Sequence, residues 1–349
     1  MNPNSNLAVQ EITEITELAR LAPEWDDLFG RCPAATTFQR PEWLISWMEV
    51  FNPGELWTLA VRQSGRLVGI APLYIQQNGS ERTLAPVGAA ISDYLDWLLD
   101  PAVSTSGLAC LFQHITERTA VWSIFDLTDI PGHSPLLSPT SMAEWDMEAK
   151  LHDACPVLQL PSTLDQLQHL IPRPRLRSVR TARKKIQQLG QVRIEVASRE
   201  NLEELLANLF RLHRTRWSRL GMTGVLAGPD VQKFHHRVAP VLLEKGVLRL
   251  YALRLRDRVL AALYALFEKD VVYCYLQGFD PEFADFSPGA QILAAVIEDA
   301  VSHHKRSIDF LRGQEAYKYS WGAQDVPTYR LRVRKRLPLM DVPAQQIAA

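Results

Sequence analysis

The stretch VLRLYALRLRDRVLAALYALFEKDVVYCYLQGFD, residues 247–280, decides the fold. It is three apolar runs separated by two short polar breaks, Arg256-Asp257-Arg258 and Lys269-Asp270. Such breaks are turn signals, so the reading is three successive antiparallel strands. Downstream, SPGAQILAAVIEDAVSH (287–303) reads as a helix, SIDFLRG (307–313) as a strand entering a loop, and PTYRLRVRKR (327–336) as a last strand. Upstream, 175–190 is a basic helix stopped by Gly190, QVRIEVA (191–197) is a strand, and two helices start near Asn201 and Asp230. Asn201 and Glu204 have the spacing of a capping box.

The first half carries a related pattern. LWTLAVRQSGRLVGIAPLYIQ (56–76) is a hairpin turning at Ser64-Gly65, and Pro72 predicts an edge or a bulge in its second strand. When the two hairpins are aligned, Val61-Arg62 falls on Leu253-Arg254, and SIFDL (123–127) resembles SIDFL (307–311). A helix precedes the later strand in both halves, which suggests duplication of one α/β unit. Before the first hairpin, EITEITELARL (11–21) reads as a strand or short helix, and PEWDDLF (23–29) as a helical turn entered through Pro23. PEWLISWMEVF (41–51) is a helix with Trp43, Trp47 and Phe51 on one face. ERTLAPVG, SDYLDWLLDP and VWSIFDLTDI are further strands around a helix at 104–120. Residues 131–172 look like a crossing segment with one strand, PVLQLP.

A chain of 349 residues exceeds the usual reach of one core, so two domains are expected: 1–160, acceptor-side or structural, and 161–349, carrying the chemistry. With 47% hydrophobic and 22% charged residues, wholesale disorder is excluded. No apolar run reaches the roughly twenty residues of a membrane span, and the polar, acidic start is not a secretory signal, so a cytoplasmic location is expected. Cys32, Cys110, Cys155 and Cys274 form no CxxC pair, and His235-His236 and His303-His304 diverge on a helix, so no metal site is expected. A net charge of −1 argues against a general DNA binder, although Arg173, Arg175, Arg177, Arg180, Arg183, Lys184 and Lys185 cluster without an acid among them.

Two constellations carry the chemistry. Ser287 can cap the helix, Pro288 preorganises its first turn, and Gly289 leaves that turn open, so unpaired amides at 287–290 form a candidate anion site. After the strand at 307, Asp309, Arg312, Glu315, Tyr317 and Lys318 crowd one loop. Plainer readings exist for each: an Asp309–Arg312 ion pair, a packed Tyr317, a solvated Lys318. On the helix before, His213, Arg216 and Trp217 share a face. Asp93, Tyr94 and Asp96 of the first half line a cleft between lobes or cap a strand end.

The ordered pieces TTFQRPEWLISW (36–47), RLVGIAPLY (66–74), SDYLDWLLDP (92–101), RSVRTARKKIQQLG (177–190), FRLHRTRW (210–217), LQGFDPEFADFSPG (276–289) and IDFLRGQEAYKYSWG (308–322) resemble the GNAT acetyltransferase superfamily. They resemble in particular the bacterial CelD-like or BioF2-like acetyltransferases, which are similar to the two-lobed Fem peptidyltransferases. The resemblance implies an α/β fold of tandem GNAT-like domains, each with a mixed, mostly antiparallel central sheet flanked by helices. It implies an N-acyltransferase that moves an acetyl or other acyl group from acyl-CoA to a small amine or amino sugar, in a polysaccharide context. The carrier would lie in a splay beside Gln277, Gly278 and Phe279, with its phosphates at Ser287, Pro288, Gly289 and Ala290. The usual GNAT phosphate loop is richer in glycine than SPGA. The roles that follow are Glu315 or Asp309 as base, Tyr317 as acid at the leaving thiolate, and His213 as a further proton-transfer group. Arg216, Trp217, Arg312, Lys318, Asp93, Tyr94 and Asp96 would meet the acceptor or carrier. The alternatives are a Fem-like aminoacyltransferase using charged tRNA, prompted by the basic run, and a non-catalytic accessory of polysaccharide production.

Overall fold

A computed structural model describes residues 7–138, 145–219 and 221–335. The first lobe runs β1 (Leu7–Ile12), α1 (Ile15–Arg31), α2 (Pro41–Phe51), β2 (Glu55–Leu56), β3 (Thr58–Gln63), β4 (Arg66–Ala71), β5 (Leu73–Asn78), β6 (Glu81–Pro86), β7 (Leu98–Leu99), α3 (Ser104–Glu117) and β8 (Ile124–Pro131). A long strand, β9 (Trp145–Gln159), leads to α4 (Leu164–Leu170) and α5 (Arg173–Gln187). The second lobe continues with β10 (Val192–Val196), α6 (Leu202–Arg219), α7 (Pro229–Glu244), β11 (Leu248–Leu255), β12 (Arg258–Glu268), β13 (Val271–Phe279), α8 (Pro288–Ser302), β14 (Ser307–Asp309), α9 (Ala316–Tyr319) and β15 (Gln324–Lys335).

The three-strand reading of 247–280 holds as β11–β12–β13, all antiparallel. The first-half hairpin forms too, but Pro72 does more than mark an edge. Without an N–H it ends β4, and the chain resumes as β5 in another sheet. Strands β1-β3-β4-β7 make a four-stranded sheet, and the other eleven make one sheet ordered β10-β11-β12-β13-β14-β9-β15-β8-β6-β5-β2. This is a mixed, mostly antiparallel arrangement flanked by helices. Its two parallel joints are β6–β8 and β13–β14, each spanning a strand–helix–strand crossover. Thus SIFDL and SIDFL do occupy corresponding places.

Several local expectations need correction. Pro23 lies inside the 17-residue α1, because Leu18, Leu21, Trp25, Leu28 and Phe29 bury one continuous face that outweighs the lost bond. Residues 145–159 form a strand of 15 residues, far longer than PVLQLP; residues 139–144 of that segment lie outside the described residues. Asn201 Oδ1 accepts from Ser198 N at 2.7 Å and Glu204 pairs with Arg254 at 2.6 Å, so no capping box closes there.

Strand β15 inserts between β9 and β8, and β9 pairs with β14. The halves therefore share one sheet, and neither strand respects a cut near residue 160. The cores merge as well. Trp43 of α2 meets Phe234 of α7 edge-on at 4.9 Å and Tyr275 of β13 at 5.3 Å.

The site is positioned by a parting of strands. β13 and β14 pair only from Val271↔Ser307 to Tyr273↔Asp309 and then separate. The β12–β13 register jumps from Ala265↔Cys274 to Tyr264↔Leu276, which leaves Tyr275 as a bulge and bends β13 away. Helix α6 packs against the departing strand so closely that a Cβ on Gly278 would lie 2.7 Å from His213 N.

Candidate active site

The wedge between β13 and β14 opens into a cavity of about 510 Å³ between the lobes. One wall comes from α6 and α7 and includes His213, Trp217, Leu226, Val231 and His235. The other is polar: Asp93 from the first lobe, Asp153 from β9, and Arg312, Glu315 and Lys318 from the loop after β14. A second cavity, about 260 Å³, lies at the start of α8 and is lined by Arg175, Ser287, Pro288, Gly289 and Ala290, among others. Arg216, Gln277, Leu293 and Tyr317 border both cavities, so the helix start and the polar loop do face a common space.

The start of α8 differs from a row of free amides. Ser287 adopts a left-handed conformation (φ 46°) and makes no side-chain cap. Its N–H goes to Ala284 O, Ala290 N–H goes to Ser287 O, and Pro288 has none. Gly289 alone keeps an unpaired N–H in this turn, while Gln277 Nε2 donates to Gly289 O at 2.8 Å. Positive charge comes from side chains instead. Arg216 lies over the Phe279 ring at 5.4 Å and Arg175 over the Trp321 ring at 4.5 Å. Neither guanidinium has an acidic partner among the described residues, and Arg175 Nε is buried without any partner. No acid lines this cavity. It is an anion site by charge, with the helix amide as a minor contributor.

The loop after β14 is held by both lobes. Arg312 pairs with Asp93 at 2.7 Å and Asp129 at 3.1 Å and donates to Ser92 O. It does not pair with Asp309. Asp309 is buried and accepts from Tyr94 Oη at 2.6 Å and from Leu311 N at 2.8 Å. Burial pushes its carboxyl up to about 7. It is absent from the cavity walls, because Tyr94, itself left-handed at φ 54°, covers it. Asp93 does reach the cavity. Burial raises its carboxyl to about 6, against the opposing pull of Arg312.

Lys318 turns inward. Its ammonium donates to Leu311 O, Arg312 O and Gly313 O at 2.8–3.0 Å and pairs with Glu315 at 2.9 Å. A lysine so committed organises the loop rather than meeting a phosphate. Asp96 is likewise spent on Ser134 Oγ and Trp97 N, outside either cavity. Glu315 stands half-exposed at the rim. Tyr317 lies between the cavities with its hydroxyl bonded to no described residue, and burial pushes its phenol upward, so it keeps its proton. His213 is buried, and burial with nearby Arg216 lowers it to about 4; it is neutral at pH 7.

Sequence reasoning missed Asp129, His235 and Tyr275. His235 and His236 do diverge, the latter outward to Glu203 at 2.9 Å, but the inward member reaches the cavity wall. Asp129 offers no local signal, since its partner Arg312 is 183 residues away. Among the described residues no group of three or more His, Cys, Asp or Glu side chains could hold a metal, and no helix is long and apolar enough to cross a membrane.

Comparison with known proteins gives this geometry a class. Residues 173–319 match the family described as Acetyltransferase (GNAT) domain. FemX superposes with a TM-score of 0.67 at 14% identity, over 93% of this chain and 96% of its own. The C-terminal domain of a protein described as a lysylphosphatidylglycerol synthetase, from Agrobacterium fabrum, gives 0.57 at 11% identity over 90% and 92%. A tandem GNAT protein from the clavulanic acid biosynthesis pathway gives 0.50 at 12% over 95% and 99%. No curated protein matches the chain. The fold is thus the two-lobed, tandem GNAT type. The second lobe carries a GNAT-type acetyltransferase domain, and the chain is an enzyme of the acyltransferase kind.

Proposed function

We propose that this enzyme is an N-acyltransferase that takes an acyl group from acyl-CoA and delivers it to the amine of a small molecule or amino sugar, as in the CelD-like or BioF2-like acetyltransferases. One observation carries the reading. An acid-free cavity with two unpaired guanidinium groups adjoins, through Tyr317, a larger cavity whose far wall holds carboxylates. Arg175, Arg216 and the Gly289 N–H would hold the phosphates of the carrier, and Phe279 would lie beside it. When bound, the thioester supplies an activated acyl group for attack by an amine. Tyr317 holds a proton at its hydroxyl for the leaving sulfur, since burial disfavours its phenolate. An incoming ammonium must lose a proton. Asp93 suits that task best among the carboxylates of the wall: its basicity is raised toward neutrality, whereas Glu315 is tied to Lys318. Glu315 and Asp153 at the rim attract the cation. Asp309 and Arg312 fix the loop and do not touch the acceptor. A location in the cytoplasm and a role in polysaccharide production belong to the same proposal.

A second reading has its own observation. On α5, Arg173, Arg177, Arg180 and Lys184 have no ion-pair partner among the described residues, and only Arg183 pairs, with Glu298. A hollow lined by Arg173, Arg177 and Lys185 shares Ser287 with the anion cavity. Such a strip suits the backbone of a charged tRNA, the donor of a Fem-like aminoacyltransferase. The deciding experiment titrates acetyl-CoA and aminoacyl-tRNA separately against the purified protein and its Arg216→Ala variant. The acyl-CoA reading expects saturable CoA binding, weakened roughly tenfold or more in the variant. Saturable tRNA binding without CoA binding would reverse the assignment.

A further inference from the structure

The α6–α7 wall of the larger cavity carries an unusual set of unused hydrogen-bonding atoms. His235 is fully buried, and neither Nδ1 nor Nε2 has a partner. His213 is buried with Nδ1 unpaired. The hydroxyl of Tyr264, whose ring lies 5.5 Å from that of His235, is also buried and unpaired. Buried polar atoms left this way are costly, and native proteins keep them mainly where a water or a ligand completes them. They are flanked by hydrocarbon, with Ile91, Leu226 and Val231 on the same cavity surface.

The chemistry of these atoms selects a partner. A neutral imidazole offers one N–H donor and one lone pair. A carboxylate or phosphate would be repelled by the lone pair, and an ammonium would find N–H groups in its way. A hydroxyl or an amide both donates and accepts, and so matches. Burial supports the neutral state, lowering His235 to about 3 and His213 to about 4.

We infer that His235 and His213 form a recognition subsite for a neutral, hydroxyl- or amide-bearing part of the acceptor, with the reacting amine directed toward the carboxylate wall. The acceptor class is therefore a polyhydroxylated amine such as an amino sugar, rather than an amino acid or a plain alkylamine. The inference rests on the acyltransferase reading only for the word acceptor; the subsite itself is tested without a donor.

Binding of matched amines to the full chain is measured by calorimetry with no CoA present. The pairs are glucosamine with cyclohexylamine and serinol with isopropylamine, so that hydroxyls are the difference. At least one hydroxylated member should bind roughly tenfold tighter than its mate, the worth of one or two hydrogen bonds. In His235→Phe that preference should vanish while the hydroxyl-free amine changes by less than about threefold, and His235→Gln, which keeps a donor and an acceptor, should restore part of it. Should His235→Phe fail to fold, His213→Gln and His235→Gln carry the test. Equal affinity within both pairs in the wild type, or a variant that weakens both members equally, overturns the subsite. A parallel CoA titration separates the two claims. Lost CoA binding with the hydroxyl preference intact sinks the donor assignment alone.

Discussion

Replacing Asp309 by Asn should make the protein less sensitive to rising pH. Asp309 is buried beneath Tyr94, accepts two hydrogen bonds, and titrates near 7 instead of near 3.8. The groups facing it are Tyr94 and Asp93 of the first lobe, Cys155 of β9, Tyr273 and Cys274 of β13, and Lys318 of α9. A carboxyl whose pKa is raised on folding stabilises the fold fully only below its unfolded pKa. That contribution is lost as pH rises toward the folded value. Between pH 5 and pH 7 the unfolded chain gains two units of ionisation that the folded chain mostly forgoes, roughly 2 kcal/mol at 1.36 kcal/mol per unit. Asparagine is nearly isosteric and has no such dependence. Denaturant midpoints of both proteins at pH 5, 6, 7 and 8, converted to free energies, read out the difference. The advantage of the variant over wild type should grow by roughly 2 kcal/mol across that window. Asp93 and Asp96, both raised to about 6, are present in both proteins and largely cancel. A gap that stays flat or shrinks with pH would refute the buried, protonated Asp309.

Tyr317→Phe removes a hydroxyl that bonds no described residue, so stability should move by less than about 0.5 kcal/mol while turnover falls roughly 10²-fold or more and CoA affinity holds, as steady-state kinetics and direct titration will show. Arg312→Ala leaves Asp93 and Asp129 buried without their cation and should cost about 3–5 kcal/mol in denaturant melts; adding Asp129→Asn should recover part of it. Gly278→Ala forces a Cβ to 2.7 Å from His213 N, which should cost about 1–3 kcal/mol and weaken CoA binding by shifting Arg216 on the same helix, both measurable on the purified variant.

Much of the fold was legible because its strands alternate or run apolar between clear turns. The β11–β12–β13 meander and helices α2, α3 and α8 stand close to where the pattern puts them. The failures have physical causes. β9 is exposed over most of Asp146 to His152, so WDMEAKL shows no buried face to betray a strand. β15 alternates plainly, yet nothing local says that its neighbours are β8 and β9. At the site, composition marked the right loop and helix, and Tyr317, Arg216, His213 and Asp93 do meet at the cavities. Roles were harder, because partners decide them. Lys318 was read as a ligand group because its three carbonyl acceptors belong to the backbone of its own loop, which no residue identity announces. Ser287 looked like a cap, but its left-handed turn already occupies the neighbouring amides.

The shared sheet explains how two lobes can present one reactive geometry. The loop carrying Glu315 and Tyr317 is strung between β14 and β15, and both strands pair with β9 in the middle of the eleven-stranded sheet. Movement of one lobe against the other would have to break that pairing. It would also break two buried polar ties, Arg312 to Asp93 and Asp129, and Tyr94 to Asp309. Positioning a base and an acid to a fraction of an ångström demands such bracing, since small displacements of reacting groups cost large factors in rate. Two carboxyl groups held above their ordinary pKa are the stability cost of that brace. The one at the cavity, Asp93, is also the group whose raised basicity the transfer needs. On this account the first lobe contributes to the reaction directly, and loosening the tie at Arg312 should lower turnover even where the carrier still binds.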